Sequence, residues 1–225
     1  MTSKGIDANK VEILSSAENY KYFKHLLSEK EIVDVMSDLK HRVFPRPFER
    51  LSSLRTKQNL IGAEIGVAGG EHAISLLETL AIKRLYLIDP YENYETYTEG
   101  QQHYGADGSG LDEFRTRAEI LLSRFADRVV WISAKSSDAA KFITEQLDFV
   151  YIDGNHAKEF VSQDISDYIL KLSSRGVIGG HDFYNGFQRE HDGVVNAVLD
   201  SPQLKGFQMR IDVPDWWIEI SEMRS

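Results

Sequence analysis

From Asn59 onward, short β-rich apolar runs alternate with stretches of helical spacing, and this alternation restricts the fold more than any other feature. Strands are expected near Leu60–Ile65, Arg84–Asp89, Val129–Ser133, Phe149–Ile152 and Val177–Gly180, and helices near Glu71–Leu80, Leu111–Phe125, Ser137–Glu145 and Phe160–Leu172. Such an order implies crossover units on a parallel sheet. Near the end, "FQMRIDV" and "WWIEIS" flank "PD", which predicts an antiparallel closing pair at one sheet edge. Trp216 and Trp217 are adjacent in that last strand, so they must face opposite sides of the sheet.

Upstream, roughly Ser16 to Leu54, the pattern is helical: Tyr22, Phe23, Leu26 and Leu27, then Ile32, Val33, Val35 and Met36, recur at near-helical spacing until Pro45 and Pro47 end it. The expected organisation is an N-terminal helical segment, 1–58, followed by a domain over 59–225. One stretch, Pro90 to Gly110, breaks the alternation. It is polar, rich in tyrosine and glycine, and too long for an ordinary turn, so it reads as a lid or as a disordered insertion.

Charge and cysteine content narrow the function. Acidic residues outnumber basic ones 35 to 26, a formal charge of -9, which argues against nucleic acid or an anionic membrane as the main partner. With no cysteine there is no disulfide framework, thiolate metal site or thiol nucleophile. The first residues lack the apolar core of a signal peptide and no run reaches membrane-spanning length, so a cytoplasmic protein is expected.

The chemistry begins where the first strand breaks into glycines, in "LIGAEIGVAGGEHAISLL". A dinucleotide fingerprint would need glycine at 66, 68 and 71, where the chain has Gly66, Ala68 and Glu71. Glu71 would also repel a pyrophosphate at the helix N-terminus, and no Walker lysine follows. What remains is E-x-G-x-x-x-G, formed by Glu64, Gly66 and Gly70. Downstream, "RLYLIDPYE" ends a strand in Asp89, suited to accept ribose hydroxyls or to cap the next turn. The run "SAKSSD" follows another strand, and Ser136 or Ser137 there can serve as a helix N-cap.

Two further strand ends carry "DGNH" (Asp153, Gly154, His156) and "GGHDFYN" (His181, Asp182). If these strands are neighbours, about 4.8 Å apart, Asp153 and Asp182 lie close together and need a cation, a shared proton or a hydrogen-bonded partner. Either histidine can take a proton near neutral pH, and His181 can equally be a strand-end residue bonded to Asp153 or a backbone carbonyl. Tyr184 and Asn185 follow directly and are candidates for substrate contact.

From about Asn59 to Asp200 these elements resemble class I S-adenosylmethionine-dependent methyltransferases of family 24 and, more distantly, metal-dependent sugar and catechol O-methyltransferases. The resemblance implies a doubly wound, mostly parallel seven-stranded sheet with an antiparallel last strand. It implies S-adenosylmethionine as cofactor, held by Glu64, Gly66, Val67 and Gly70 around the glycine turn, by Asp89 and Pro90 at the ribose, by Ser136 near the adenine and by Asp153. It also implies Asp153, His156 and His181 as catalytic residues, and Mg²⁺ on Asp153 and Asp182, although Asp182 is followed by Phe183, so the second member of the relatives' Asp-Asp or Asp-Asn pair is altered. The reaction expected is methyl transfer to a hydroxyl of a small polar acceptor such as a sugar, polyol or phenolic metabolite. An N-methyltransferase and a non-catalytic S-adenosylmethionine- or S-adenosylhomocysteine-binding regulatory protein are the alternatives, and a homo-oligomer is left open.

Overall fold

In the computed structural model, the residues described are 12–15, 46–92, 109–183 and 192–220. The helical reading of 16–45, the core of the tyrosine-rich stretch (93–108), and Tyr184 and Asn185 lie outside them. Among the described residues, eight strands form one sheet: β1 Glu12–Ser15, β2 Leu60–Ile65, β3 Ile82–Ile88, β4 Val129–Ser133, β5 Leu147–Ile152, β6 Leu172–Gly180, β7 Met209–Asp212 and β8 Asp215–Glu219. Their spatial order is β1-β4-β3-β2-β5-β6-β8-β7. The five central strands are parallel, while β7 and β8 close one edge as the antiparallel pair expected.

The helices are α1 Pro47–Arg50, α2 Ser52–Arg55, α3 Glu71–Thr79, α4 Ser109–Leu122, α5 Ser136–Ala139, α6 Lys158–Ile169 and α7 Asp192–Asp200. Strand alternation distributes the core to both faces of the sheet. Leu85 and Leu87 of β3 pack with Leu76 and Leu77 of α3, whereas Tyr86 and Ile88 pack with Val161 and Ile165 of α6. Each such aliphatic side chain contributes about 1.5–3 kcal/mol through burial. Trp216 and Trp217 divide in the same way, Trp216 fully buried on the α6 face and Trp217 against the α3 face.

Local features differ from the sequence reading, among them the helix expected at Ser137–Glu145, which ends as α5 at Ala139 and continues only as a 3-10 turn to Phe142. β1 adds an eighth strand by pairing antiparallel with β4, from Glu12↔Ser133 to Ser15↔Val130. Pro47 opens α1 instead of closing a helix, since a missing N–H costs nothing at the first helical position. Beyond Ile169 the chain leaves the helix and Leu172 pairs with Leu147 at the start of β6, so sheet pairing overrides the helical pattern.

The sheet reverses its winding between β2 and β5, where one half runs outward to β3 and β4 and the other to β6. A crevice outside the carboxyl ends is the expected binding place in such a sheet. There, one row of backbone hydrogen bonds passes through successive strand ends: Asp89 N to Ile132 O (3.3 Å), Gly66 N to Ile88 O (2.9 Å), Asp153 N to Ile65 O (2.7 Å) and His181 N to Ile152 O (3.0 Å).

Candidate active site

The glycine turn after β2 is shaped first by its neighbour strand. Gly66 has φ +82°, and a Cβ there would stand 2.0 Å from the Asp153 carbonyl oxygen, so only glycine lets the end of β5 come this close. Asp89 then ties the turn to β3: its Oδ2 accepts the Val67 and Ala68 amides at 2.9 and 3.1 Å, and its Oδ1 accepts the Tyr91 amide at 2.8 Å. The Tyr91 hydroxyl completes the clasp by donating to the Ala68 carbonyl at 2.8 Å. Burial raises the Asp89 pKa, and these three amides oppose that rise. Turn capping by Asp89 is therefore realised, with the remaining lone pair on Oδ1 left for a ligand.

A cavity opens above this turn, lined by Gly66, Asp89, Pro90, Lys135, Ser136, Asp153 and Asp164, with Ile65, Ile88, Leu111, Phe114 and Phe160 supplying apolar walls. Of the residues expected around a cofactor, Gly66, Asp89, Pro90, Ser136 and Asp153 line it. Val67 is buried in the α3-side core, and Gly70, at φ +81°, is the N-cap of α3 with the backbone of Ala118 close by. Neither lines the cavity. Nor does Glu64, which strand alternation turns to the face opposite Ala63 and Ile65. It is 1% exposed, with Oε1 3.3 Å from His72 Nδ1. Burial, then the nearby Asp153, raises its carboxyl well above the usual range. Burial lowers His72 to about 4, so the imidazole is neutral near pH 7.

Ser136 is not an N-cap. Lys135 occupies that position without a side-chain bond, and Ser136 is the first residue of α5, donating its hydroxyl to Asp164 Oδ1. Sequence reasoning missed Asp164 as well as Arg46. The first carried a signal, a carboxylate set in the apolar stripe of α6 between Val161 and Tyr168. The second carried none, because its partner is 107 residues away. Arg46 Nη1 donates to Asp153 Oδ2 at 3.0 Å and to the Tyr151 hydroxyl at 2.7 Å. Tyr151 in turn donates to Asp215.

Beside the cavity, His156 and His181 converge on one carboxylate. His156 Nε2 is 2.8 Å from Asp182 Oδ2, and His181 Nδ1 is 3.1 Å from Asp182 Oδ1 and 3.9 Å from Asp153 Oδ1. Asp182 adopts φ +60°, a conformation that aspartate tolerates better than most residues. Burial works against its charge, but hydrogen bonds from both histidines outweigh it and hold the carboxyl far below its usual range. For His181, burial is likewise outweighed by the Asp182 bond and by Asp153, which raise it above 6.5. A smaller cavity joins these groups, lined by Asp153, Asn155, His156, His181 and Asp182.

Donor atoms of Asp153, His181 and Asp182 all fall within 4.8 Å of one another, close enough to share a divalent cation. Two carboxylates with an imidazole suit Mn²⁺ at least as well as the Mg²⁺ expected from the resemblance. Among the described residues no helix is long and apolar enough to cross a membrane.

A profile of the methyltransferase domain of family 24 matches residues 63–183, more than half of the chain. No curated protein matches it by sequence. Similar solved structures include CalS11, a TDP-rhamnose 3'-O-methyltransferase of calicheamicin biosynthesis (TM-score 0.50, 12% identity, 91% of this chain and 86% of that one). MycE, a methyltransferase of the mycinamycin pathway solved with Mg, S-adenosylhomocysteine and mycinamycin VI, gives a TM-score of 0.53 at 13% identity over 86% of this chain and 54% of that one. An rRNA methylase from Streptococcus thermophilus gives 0.51 at 13% identity over 78% and 93%. At such identities these likenesses speak to the fold. The family match runs from the middle of β2 through Phe183 and so takes in every cavity-lining strand end described above; the chain belongs to methyltransferase family 24 and is a class I S-adenosylmethionine-dependent methyltransferase.

Proposed function

We propose that this methyltransferase acts on a hydroxyl of a small polar acceptor, a sugar, polyol or phenolic metabolite. The observation that carries the reading is the His156–Asp182–His181 cluster beside Asp153, which places two bases against the end of the cavity where a methyl acceptor would enter. Two structural relatives support it, since CalS11 is described as a sugar O-methyltransferase and MycE was solved with a mycinamycin. A net charge of -9 weighs against a nucleic acid acceptor.

In this reading the cofactor lies across the strand ends, with Gly66 giving close backbone approach, Asp89 and Pro90 at the ribose and Ser136 at the far end. Glu64, Val67 and Gly70 act from behind by holding the turn. Asp153 and Asp182 orient the acceptor. A neutral His181 whose Nδ1–H donates to Asp182 has its basic lone pair on Nε2, and His156 stabilises the same carboxylate. The acceptor oxygen attacks the methyl carbon in line, the C–S bond breaks with its electron pair going to sulfur, and the acceptor proton passes to a histidine. Asp153 and Asp182 would hold a divalent ion, Mg²⁺ or Mn²⁺, which when bound would supply acidification of the acceptor hydroxyl.

The test combines binding and turnover. Calorimetric titration with S-adenosylhomocysteine should show binding that Asp89→Ala loses. Transfer of labelled methyl from S-adenosylmethionine to panels of sugars, polyols and phenols, with and without divalent ions, should find an acceptor whose methylation Asp153→Ala abolishes. Full activity in Asp153→Ala would remove the mechanism, and methyl incorporation only into amines would favour the N-methyltransferase.

A further inference from the structure

Neither the resemblance nor the transfer step uses Asp164, yet it is the most deeply buried acid on the cavity wall. It is 3% exposed, and it lines the cavity from α6. Ser136 donates to its Oδ1, and the Tyr168 hydroxyl donates to the Ser136 carbonyl at 2.8 Å, so carboxyl and serine are held together. Its other oxygen, Oδ2, makes no hydrogen bond within the protein. That oxygen is not among the fully buried unpaired atoms, so it opens to the cavity, where it is an acceptor available to a donor on a ligand.

The order of the strands indicates which part of the ligand that is. Asp153, Gly66, Asp89 and Ser136 follow β5, β2, β3 and β4, four adjacent strands. Three strand spacings give a span of roughly 14 Å from Asp153 to Ser136, close to the length of an extended nucleoside joined to an amino acid. With the sulfonium beside the histidines and the ribose at Asp89, the base lies at Ser136 and Asp164. The base is adenine, which carries a hydrogen-bond donor on its exocyclic nitrogen.

We propose that Asp164, oriented by Ser136, accepts a hydrogen bond from the 6-amino group of the cofactor's adenine and thereby sets base selectivity from helix α6. This rests on the cofactor placement given above. Burial, working against the Ser136 bond and reinforced by Asp167, brings the Asp164 carboxyl up to about 7. In its neutral form the same group donates from Oδ2 to adenine N1 while accepting from the amino group, so both protonation states recognise this base.

The experiment is calorimetric titration of the full chain with S-adenosylhomocysteine and with its analogue lacking the 6-amino group. The wild-type protein should bind the analogue about tenfold more weakly or worse. In Asp164→Ala, S-adenosylhomocysteine should weaken toward the analogue and the ratio should fall to near one. Asp164→Asn, which keeps the shape and an acceptor oxygen, should retain most of the preference. Thermal melts report whether each variant is folded, and the two wild-type titrations stand without any variant. Equal wild-type affinity for the two ligands overturns the proposal, as does an unchanged ratio in folded Asp164→Ala. If wild type binds neither ligand, the cofactor placement itself fails and the proposal falls with it.

Discussion

Asp182 Oδ2 lies 2.8 Å from His156 Nε2, so a single carboxylate in left-handed backbone conformation joins the ends of two neighbouring strands. Its other oxygen takes His181. Removing that charge leaves two imidazoles facing an amide. Asp182→Asn should lower kcat by about a hundredfold or more while S-adenosylhomocysteine binding is retained. Steady-state kinetics beside a ligand titration separates the two, and an unchanged kcat would show that the cluster is structural.

The same cluster fixes a pH dependence. His181 is raised above 6.5, and a base must be neutral to accept a proton, so kcat/KM should climb with pH and level off above the ordinary imidazole value. In Asp182→Asn the inflection should move to lower pH. Stability follows the opposite limb: His181 contributes fully below 6.5 and loses its contribution as pH rises through its folded value, while Asp182, depressed from 3.8, loses its own as pH falls below that. Melting curves from pH 3 to 9 on wild type and Asp182→Asn should differ most between these limits.

Asp164 titrates with the reverse sign. Its carboxyl is at about 7 in the folded chain and 3.8 in the unfolded one, so the unfolded state ionises first and stability declines between those values. Asp164→Asn removes that loss, so its melting temperature relative to wild type should rise from pH 4 to pH 8. The full effect is up to about 4 kcal/mol. A constant offset across that range would mean that Asp164 is ionised throughout.

Arg46 already neutralises Asp153 at 3.0 Å, and a divalent ion at Asp153 and Asp182 must work against that guanidinium. Arg46→Gln should therefore tighten Mn²⁺ and Mg²⁺ binding about tenfold. Calorimetry with each salt reads this directly. Unaltered affinity would take Asp153 out of the ligand set.

Gly66→Ala places a Cβ 2.0 Å from the Asp153 carbonyl and imposes φ +82° on a residue with a side chain. Backbone on both sides of the contact must move. The expected loss is about 3 kcal/mol, read by denaturant unfolding. A loss within experimental error would mean that the turn can open without disturbing β5.

Strands β2 and β4 have the bounds expected from sequence, because short, mostly buried runs flanked by turn residues are a local signal. β1 was not legible: a four-residue edge strand is defined by its partner β4 and not by its own pattern. In the site, Gly66, Asp89, Asp153, His156, His181 and Asp182 were legible as strand-end residues, since chemistry at the carboxyl ends of a parallel sheet follows from topology alone. The direction of Glu64 was implicit in alternation, one position before cavity-lining Ile65. Arg46 depends on a tertiary contact that no local pattern encodes.

The row of backbone hydrogen bonds through Asp89, Gly66, Asp153 and His181 gives the site a ruler with fixed gradations. In the proposed placement, donor sulfur and acceptor oxygen would each be set against groups on this ruler, and their separation would be inherited from the pitch of the sheet. On that placement, retargeting to a new acceptor would be a matter of exchanging loops beyond the strand ends, because the reach of the methyl group would stay constant whatever those loops enclose.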